Sequence, residues 1–282
     1  WNVREYALCA FQQFLNYNNM FCHWHITRDM VAQFFSNSNF RPKSTALENN
    51  VFSPTGSGNW LSATSAIVKA GEWCQSPWES VVIEDLVKRN FSFAKELSGK
   101  SEKVYPCDPV LDSAISCGSS TDLAHISDAS LDLVITDPPF GDLIQYSELS
   151  DFFYVWLRLA LKKNYPDVYA SEYTPKTLEA VANRFREPAD PNGFYQRLLT
   201  QCWREAHRLL KVSGILAFTF HHSEDEPWVA VLESLFDAGF YLEATYPIRS
   251  DESRGDNAEF GEKKIEYDII HVCRKRTEEP KP

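Results

Sequence analysis

An α/β fold preceded by a helical N-terminal segment is the class this sequence predicts, on three observations. From about residue 104 onward, short apolar strands alternate with longer helical patterns, the rhythm of a sheet covered by helices on its faces. The first hundred residues lack that rhythm and carry mainly helical spacings. The composition is that of a globular chain: 282 residues, 44% apolar and 24% charged. That is enough for one large domain, or one domain plus a helical extension. No run of about 18 apolar residues occurs, so no membrane span is predicted.

Residues 4–36 read as helix, with Tyr6, Leu8, Phe11, Phe14, Leu15, Phe21, Val31, Phe34 and Phe35 at mostly helical spacings and no Gly or Pro between them. Residues 37–59 are rich in Asn, Ser, Pro and Gly and read as loop. Two further helices are predicted near 60–71 and 78–97, followed by a polar linker over 98–103. A short strand is expected at 114–117. The best strand in the chain is 131–136, Leu-Asp-Leu-Val-Ile-Thr, which stops abruptly at Asp137-Pro138-Pro139. An aromatic-rich helix follows over 147–163, another over 192–211, a strand over 215–220 and a helix over 227–238 that ends at Gly239. Residues 240–248 and 267–273 finish as strands able to pair antiparallel. The division predicted is a helical segment 1–103, the larger part 104–275 and a charged tail 276–282.

The charge balance, 28 Lys plus Arg against 39 Asp plus Glu, gives a net charge of −11. That argues against a broad basic surface of the kind that grips phosphates; a local basic groove remains compatible with it. The seven cysteines are scattered and odd in number, with no Cys-x-x-Cys pair, which predicts a reducing, cytoplasmic setting rather than a disulfide framework. Cys22-His23-Trp24-His25 lacks the second cluster that a structural zinc site needs, so no metal is predicted and the segment reads as helix. The chain opens on Trp1, with neither an initiator methionine nor a signal core, and is expected to be a piece of something longer.

Chemistry concentrates in Asp137-Pro138-Pro139-Phe140. Ligands of open α/β sheets bind beyond the carboxyl ends of the strands, and this tetrapeptide occupies that place. Each proline lacks an N–H and stiffens the turn. An exocyclic amine carries two N–H donors, which the Asp137 carboxylate and the Pro138 carbonyl can accept, leaving the nitrogen lone pair directed at an electrophilic methyl group. Phe140 offers a face on which a base can stack, an interaction of roughly 1–3 kcal/mol. No nucleophilic side chain is needed where positioning and electrostatics carry the reaction. Asp-Pro-Pro also serves elsewhere as a rigid turn with Asp as a local cap.

Residues 135–140, Ile-Thr-Asp-Pro-Pro-Phe, are similar to the catalytic motif of the N6-adenine and N4-cytosine DNA methyltransferases. The wider pattern resembles one uncharacterised branch, the DUF1156-type DNA methylases. The matching stretches are 137–142, then Tyr-Ser-Glu-Leu-Ser-Asp-Phe-Phe-Tyr-Val-Trp-Leu at 146–157, Arg-Leu-Leu-Lys-Val-Ser-Gly at 208–214 and Phe-Thr-Phe-His-His at 218–222. The likeness covers residues 107–275. It implies an S-adenosylmethionine-dependent, Rossmann-like methyltransferase fold, present in part, in which Asp137, Pro138, Pro139 and Phe140 hold a base flipped out of DNA. The family more often has tyrosine in the last position; phenylalanine keeps the ring and loses the hydroxyl. Asp142, Tyr146 and His221 are the implied pocket residues, with a structural histidine as the alternative for His221. Ser119, Ser120 and Asp122 lie where such enzymes touch the adenine end of the cofactor, with a surface turn as the alternative.

The glycine-rich cofactor turn after a first strand is not found. Residues 52–60, with Gly56 and Gly58 before a helix, are the one candidate, and no convincing strand precedes them. The expectation is therefore a chain that begins downstream of the cofactor-binding half. The activity implied is methyl transfer to adenine N6 or cytosine N4 in DNA, in a restriction–modification or related defence system with other subunits as partners. Two rivals stand beside it: an RNA guanine-N2 methyltransferase, and a catalytically silent methyltransferase-like module of a protein assembly.

Overall fold

The computed structural model describes residues 3–26, 29–38, 40–43, 47–82, 101–104, 115–249 and 267–276. They fall into two compact units. The first takes in the described residues of 1–24, 31–34 and 43–116, the second those of 25–30, 35–42 and 117–282.

In the first unit the predicted helix over 4–36 is much shorter. Helix α1 spans Val3–Leu15 and stops at the run Asn16-Tyr17-Asn18-Asn19. Asn18 Nδ2 donates to the Phe14 carbonyl at 2.8 Å and Asn19 Nδ2 to the Leu15 carbonyl at 2.7 Å. Side-chain amides thus take over carbonyls that the next helical turn would have used. Two short strands follow, β1 (His23–His25) and β2 (Met30–Ala32), forming a two-stranded sheet. The Cys22–His25 segment is therefore not helical; the Cys22 thiol lies 3.6 Å from the Asn16 carbonyl. Helix α2 runs Trp60–Gln75, slightly beyond its predicted end. Asn59 caps it by accepting from the Ser62 N–H at 2.7 Å, and Phe14 meets Trp60 edge-on at 5.8 Å.

The helix expected over 78–97 begins instead as strand β3 (Glu79–Val82), paired antiparallel with β4 (Ser101–Val104). Val81 and Val82 are β-branched and favour that extended state. The rest of that expected helix lies outside the described residues. The polar linker is likewise partly strand. Residues 115–117 form no strand, and Ile115 is 99% exposed; Ala114, like residues 277–282 of the tail, lies outside the described residues.

The second unit follows its expected rhythm. Strand β5 is Leu131–Thr136, α3 Tyr146–Leu161, α4 Pro191–Leu209, β6 Leu210–Phe220, α5 Asp225–Asp237, β7 Phe240–Arg249 and β8 Tyr267–Lys275. The four strands are ordered β5-β6-β8-β7, with β5 parallel to β6 and the other pairs antiparallel. The predicted β7–β8 pair is present. Helix α4 starts on Pro191 with Asp190 accepting from the Gly193 N–H at 2.9 Å. A Cβ on Gly193 would fall 2.0 Å from that carboxylate, so the cap requires glycine. Gly239 ends α5 with φ +88.

Alternation along β6 buries Leu216, Phe218 and Phe220 under α4 and α5, where Tyr195, Trp203, Val231 and Leu235 complete the core. Trp203 lies 5.2 Å from Phe218, and its indole N–H reaches Ser234 Oγ at 3.0 Å. On β5, Leu133 and Ile135 remain 49% and 73% exposed. The molecule is mixed α/β with a mixed sheet.

Candidate active site

The site is set by the register of β5 on β6. Thr136 pairs with Phe218, which brings Asp137 opposite Thr219. The Thr219 hydroxyl donates to Asp137 Oδ1 at 2.5 Å. Asp137 stands exposed at the carboxyl end of β5 and has no cationic partner among the described residues. Its second oxygen is therefore open to a donor from outside.

The diproline is held from below. The Tyr195 hydroxyl, on buried α4, donates to the Pro139 carbonyl at 2.5 Å, and the Gly141 N–H donates to the same oxygen at 3.1 Å. Burial, reinforced by Tyr146 nearby, raises the Tyr195 pKa above that of free tyrosine, so it remains a proton donor at any working pH. Pro138 is buried, and its carbonyl accepts no hydrogen bond among the described residues. Gly141 has φ +67, and a Cβ there would stand 3.2 Å from Pro227 Cγ; only glycine suits both demands.

Phe140 is half-buried, edge-on to Phe220 at 5.5 Å and tilted 54° against the His221 ring at 4.6 Å. Part of the ring expected to face a base is thus given to the core. The two histidines that follow β6 are both buried. His221 Nδ1 lies 3.2 Å from Asp268 Oδ1, an ion-pair distance without hydrogen-bond alignment. His222 Nδ1 accepts from the Glu224 N–H at 3.0 Å, while its Nε2 points toward Gly141 and has no partner. Both therefore touch the turn, His221 through Phe140 and His222 through Gly141.

Tyr146 opens α3, and partial burial followed by the negative charges of Asp137 and Glu179 raises its pKa. Glu179 caps α3 from a distant loop: it accepts from the Ser147 N–H at 2.7 Å and the Ser147 hydroxyl at 2.6 Å, and pairs with Arg186 at 2.6 Å. Asp142 is exposed and lines a cleft of about 450 Å³ beside the turn. A larger hollow of about 760 Å³ lies along α4 and reaches Asp237, away from the turn; size does not mark the site here.

Ser119, Ser120 and Asp122 are elsewhere. Ser119 Oγ meets Thr121 Oγ1 at 2.8 Å, and Asp122 Oδ1 accepts from the Ala124 N–H at 3.2 Å, so the segment closes on itself as a turn. The next residue, Leu123, is tied to Glu205 and Arg208 at the end of α4. That is the edge where β5 begins, a strand length of roughly 20 Å from Asp137. Residues 52–60 are no better suited to a cofactor. A Cβ on Gly58 would fall 2.3 Å from Asn49 Nδ2, and Asn59 is spent capping α2. Asp137, Phe140, Asp142, Tyr146 and His221 are thus gathered at one edge, and Ser119, Ser120 and Asp122 are not among them.

Sequence reasoning missed Thr219, Tyr195 and Glu179. Thr219 was legible in principle as the lone hydroxyl between two phenylalanines on β6. Nothing local marks the other two, which act across 56 and 32 residues.

Among the described residues, no helix is long and apolar enough to cross a membrane, and no group of three or more His, Cys, Asp or Glu is placed to hold a metal ion. No family model and no curated protein matches the chain. Among solved structures it is similar to TTHA0409 of Thermus thermophilus, described as a "Putative DNA Modification Methylase". The likeness has 18% identity and TM-score 0.33 over 58% of this chain and 55% of that one. The same protein complexed with S-adenosyl-L-methionine matches with 17% identity and TM-score 0.33, over 58% and 54%. The chain thus spans about half the length of that protein. At this level of likeness no chemistry is carried across.

Proposed function

We propose that the chain carries the amine-binding half of an S-adenosylmethionine-dependent amino-methyltransferase acting on a DNA base, adenine N6 or cytosine N4. The observation that supports it most directly is the exposed Asp137 carboxylate, oriented by Thr219, next to a Pro138 carbonyl with no acceptor duty of its own. Together they form two fixed acceptors for the two N–H groups of one amine. Asp137 would hold one amine proton and Pro138 the other, orienting the nitrogen lone pair away from both. Tyr195 and Gly141 keep the turn from relaxing, so orientation costs little at the moment of reaction. The exposed part of Phe140 would touch the ring, and Asp142, Tyr146 and His221 would flank it. S-adenosylmethionine would supply the methyl group. Ser119, Ser120 and Asp122 do not fit as its holders in this arrangement. The DUF1156-type family, a restriction–modification setting with partner subunits and a cytoplasmic location belong to the same reading, on sequence resemblance alone.

The turn at 119–124, closed on itself, favours one other reading, a silent module within an assembly. Digested DNA and RNA from overexpressing cells, analysed by mass spectrometry, separate the alternatives. N6-methyladenine or N4-methylcytosine is expected in DNA, falling at least about 100-fold with Asp137→Ala, the scale of removing one oriented polar group from an active site. N2-methylguanine in RNA would move the activity to RNA. No methylated base, with no calorimetric binding of S-adenosylmethionine, would leave the silent module standing.

A further inference from the structure

Apart from Asp142, the cleft beside the turn is lined by residues that the amine site does not use. It is lined by Phe40, Arg41, Asp142, Glu148, Arg184 and Phe185, among others. Both arginines are exposed, and neither makes a hydrogen bond or ion pair among the described residues. In the same unit Arg186, Arg197, Arg208 and Arg274 pair with carboxylates, whereas Arg204, away from the cleft, has no ion pair among the described residues. Phe185 is 100% exposed and Phe40 47%. The cleft also reaches Asp142, two residues beyond Phe140.

The walls of the cleft are positioned by specific bonds. The Gln145 N–H donates to the Ser38 carbonyl at 2.9 Å, and Phe35 stacks on Phe153 at 4.9 Å, bringing residues 35–42 onto α3. Asn183 Nδ2 donates to Gln145 Oε1 at 2.7 Å, and its Oδ1 accepts from the Phe185 and Arg186 N–H groups at 2.9 and 3.0 Å. Phe185 is therefore presented on a fixed turn rather than on a free loop.

We propose that this cleft binds the DNA strand next to the target nucleotide. Arg41 and Arg184 meet phosphate oxygens and Phe185 stacks on the neighbouring base. Two unpaired guanidinium groups suit phosphates, an exposed aromatic face suits an unstacked base of any identity, and an amine site two residues away needs a displaced strand beside it. Asp142 and Glu148 line the same cleft and would face base edges, where a carboxylate accepts an N–H. The proposal names the grip of the amine site above and rests on that reading, but its test reads binding alone.

The test is fluorescence anisotropy of the 282-residue chain with a labelled DNA strand of about a dozen nucleotides, within the site sizes typical of single-strand binders, titrated across salt. Arg41→Ala with Arg184→Ala should weaken binding and flatten the salt slope by about 1.4, from ~0.7 per phosphate contact on single strands. Phe185→Ala should weaken binding about tenfold at unchanged slope, and Phe185→Trp should restore it. Arg204→Ala, an unpaired exposed cation on the outer face of α4, should change nothing. The idea is overturned if the double variant binds like the parent, if Arg204→Ala loses as much, if the parent captures no strand at low salt, or if an RNA strand of the same sequence is preferred. Arginine-dependent capture with no methylated base in cells would keep the cleft and sink the methyl transfer. Methylation with arginine-independent capture would do the reverse.

Discussion

At the scale of single residues, the group proposed to hold the amine is a carboxylate whose direction is set by one hydroxyl. Thr219 donates to one Asp137 oxygen, and the proposed function gives the other to a substrate N–H. Thr219→Val keeps the shape and β-branching of the side chain and removes only the donor. We expect it to lower base methylation about 10-fold, the effect of one charge-assisted hydrogen bond of ~1.5 kcal/mol, with the urea midpoint nearly unchanged because the position is half-exposed. A variant as active as the parent would remove Thr219 from the site. The sequence made Asp137 legible because an apolar strand ended on two residues unable to donate. It could not make Thr219 legible, since only the strand register tells which β6 residue faces which β5 residue. Phe140 shows the converse: an aromatic after the prolines read as a free stacking face, whereas its neighbours Phe220 and His221 already occupy part of the ring.

Among the elements, α3 depends on a group from far along the chain. Gln145 offers it no side-chain cap, and Glu179 does the capping through Ser147. That carboxylate is mostly buried and also holds Arg186. Glu179→Ala should cost about 2 kcal/mol, because a helix N-terminus loses its cap and a part-buried guanidinium its carboxylate, while Arg186 keeps the Lys176 carbonyl and Gln145. A urea titration checks it, and a loss below about 1 kcal/mol would mean that water replaces the carboxylate. Elements of the second unit were legible where an apolar period meets a clear stop or start: β5 ends at Asp137-Pro138-Pro139, α4 begins at Asp190-Pro191 and α5 ends at Gly239. The first unit was less so. Its aromatic spacing continues past Leu15, but four residues with three asparagines end the helix by side-chain competition, which a count of apolar positions does not register. Likewise Glu79–Val82 is strand because of a partner at Ser101–Val104, and the pairing outweighs the local helical spacing.

For the molecule as a whole, the response to acid is set by histidines held neutral. His271 lies flat on Phe218 at 4.8 Å, and burial lowers its pKa below 6.5; burial and then the charges of Lys275 and Arg276 do the same for His207. Below pH 6.5 the unfolded chain takes up protons that the folded rings refuse, so stability should fall as pH drops from about 7 to about 5 and stay flat from about 7 to about 8. Carboxylates contribute little in that window: Glu205, hydrogen-bonded by Arg208 and by the Leu123 N–H, is pulled down to about 2 and loses its contribution only below about 4.5. Urea midpoints at about pH 7.5 and about pH 5.5 should differ, and His271→Phe should narrow the gap; equal midpoints would mean that the rings protonate in place. The outer side of β5 carries a different consequence. Among the described residues that strand has a neighbour on β6 alone, and it shows Leu133 and Ile135 to solvent. An incoming chain could zip along it, yet Pro138 and Pro139 offer no amide hydrogen with which to continue. Zipping would have to halt at Thr136, so the tip bearing Asp137 stays clear whatever settles alongside.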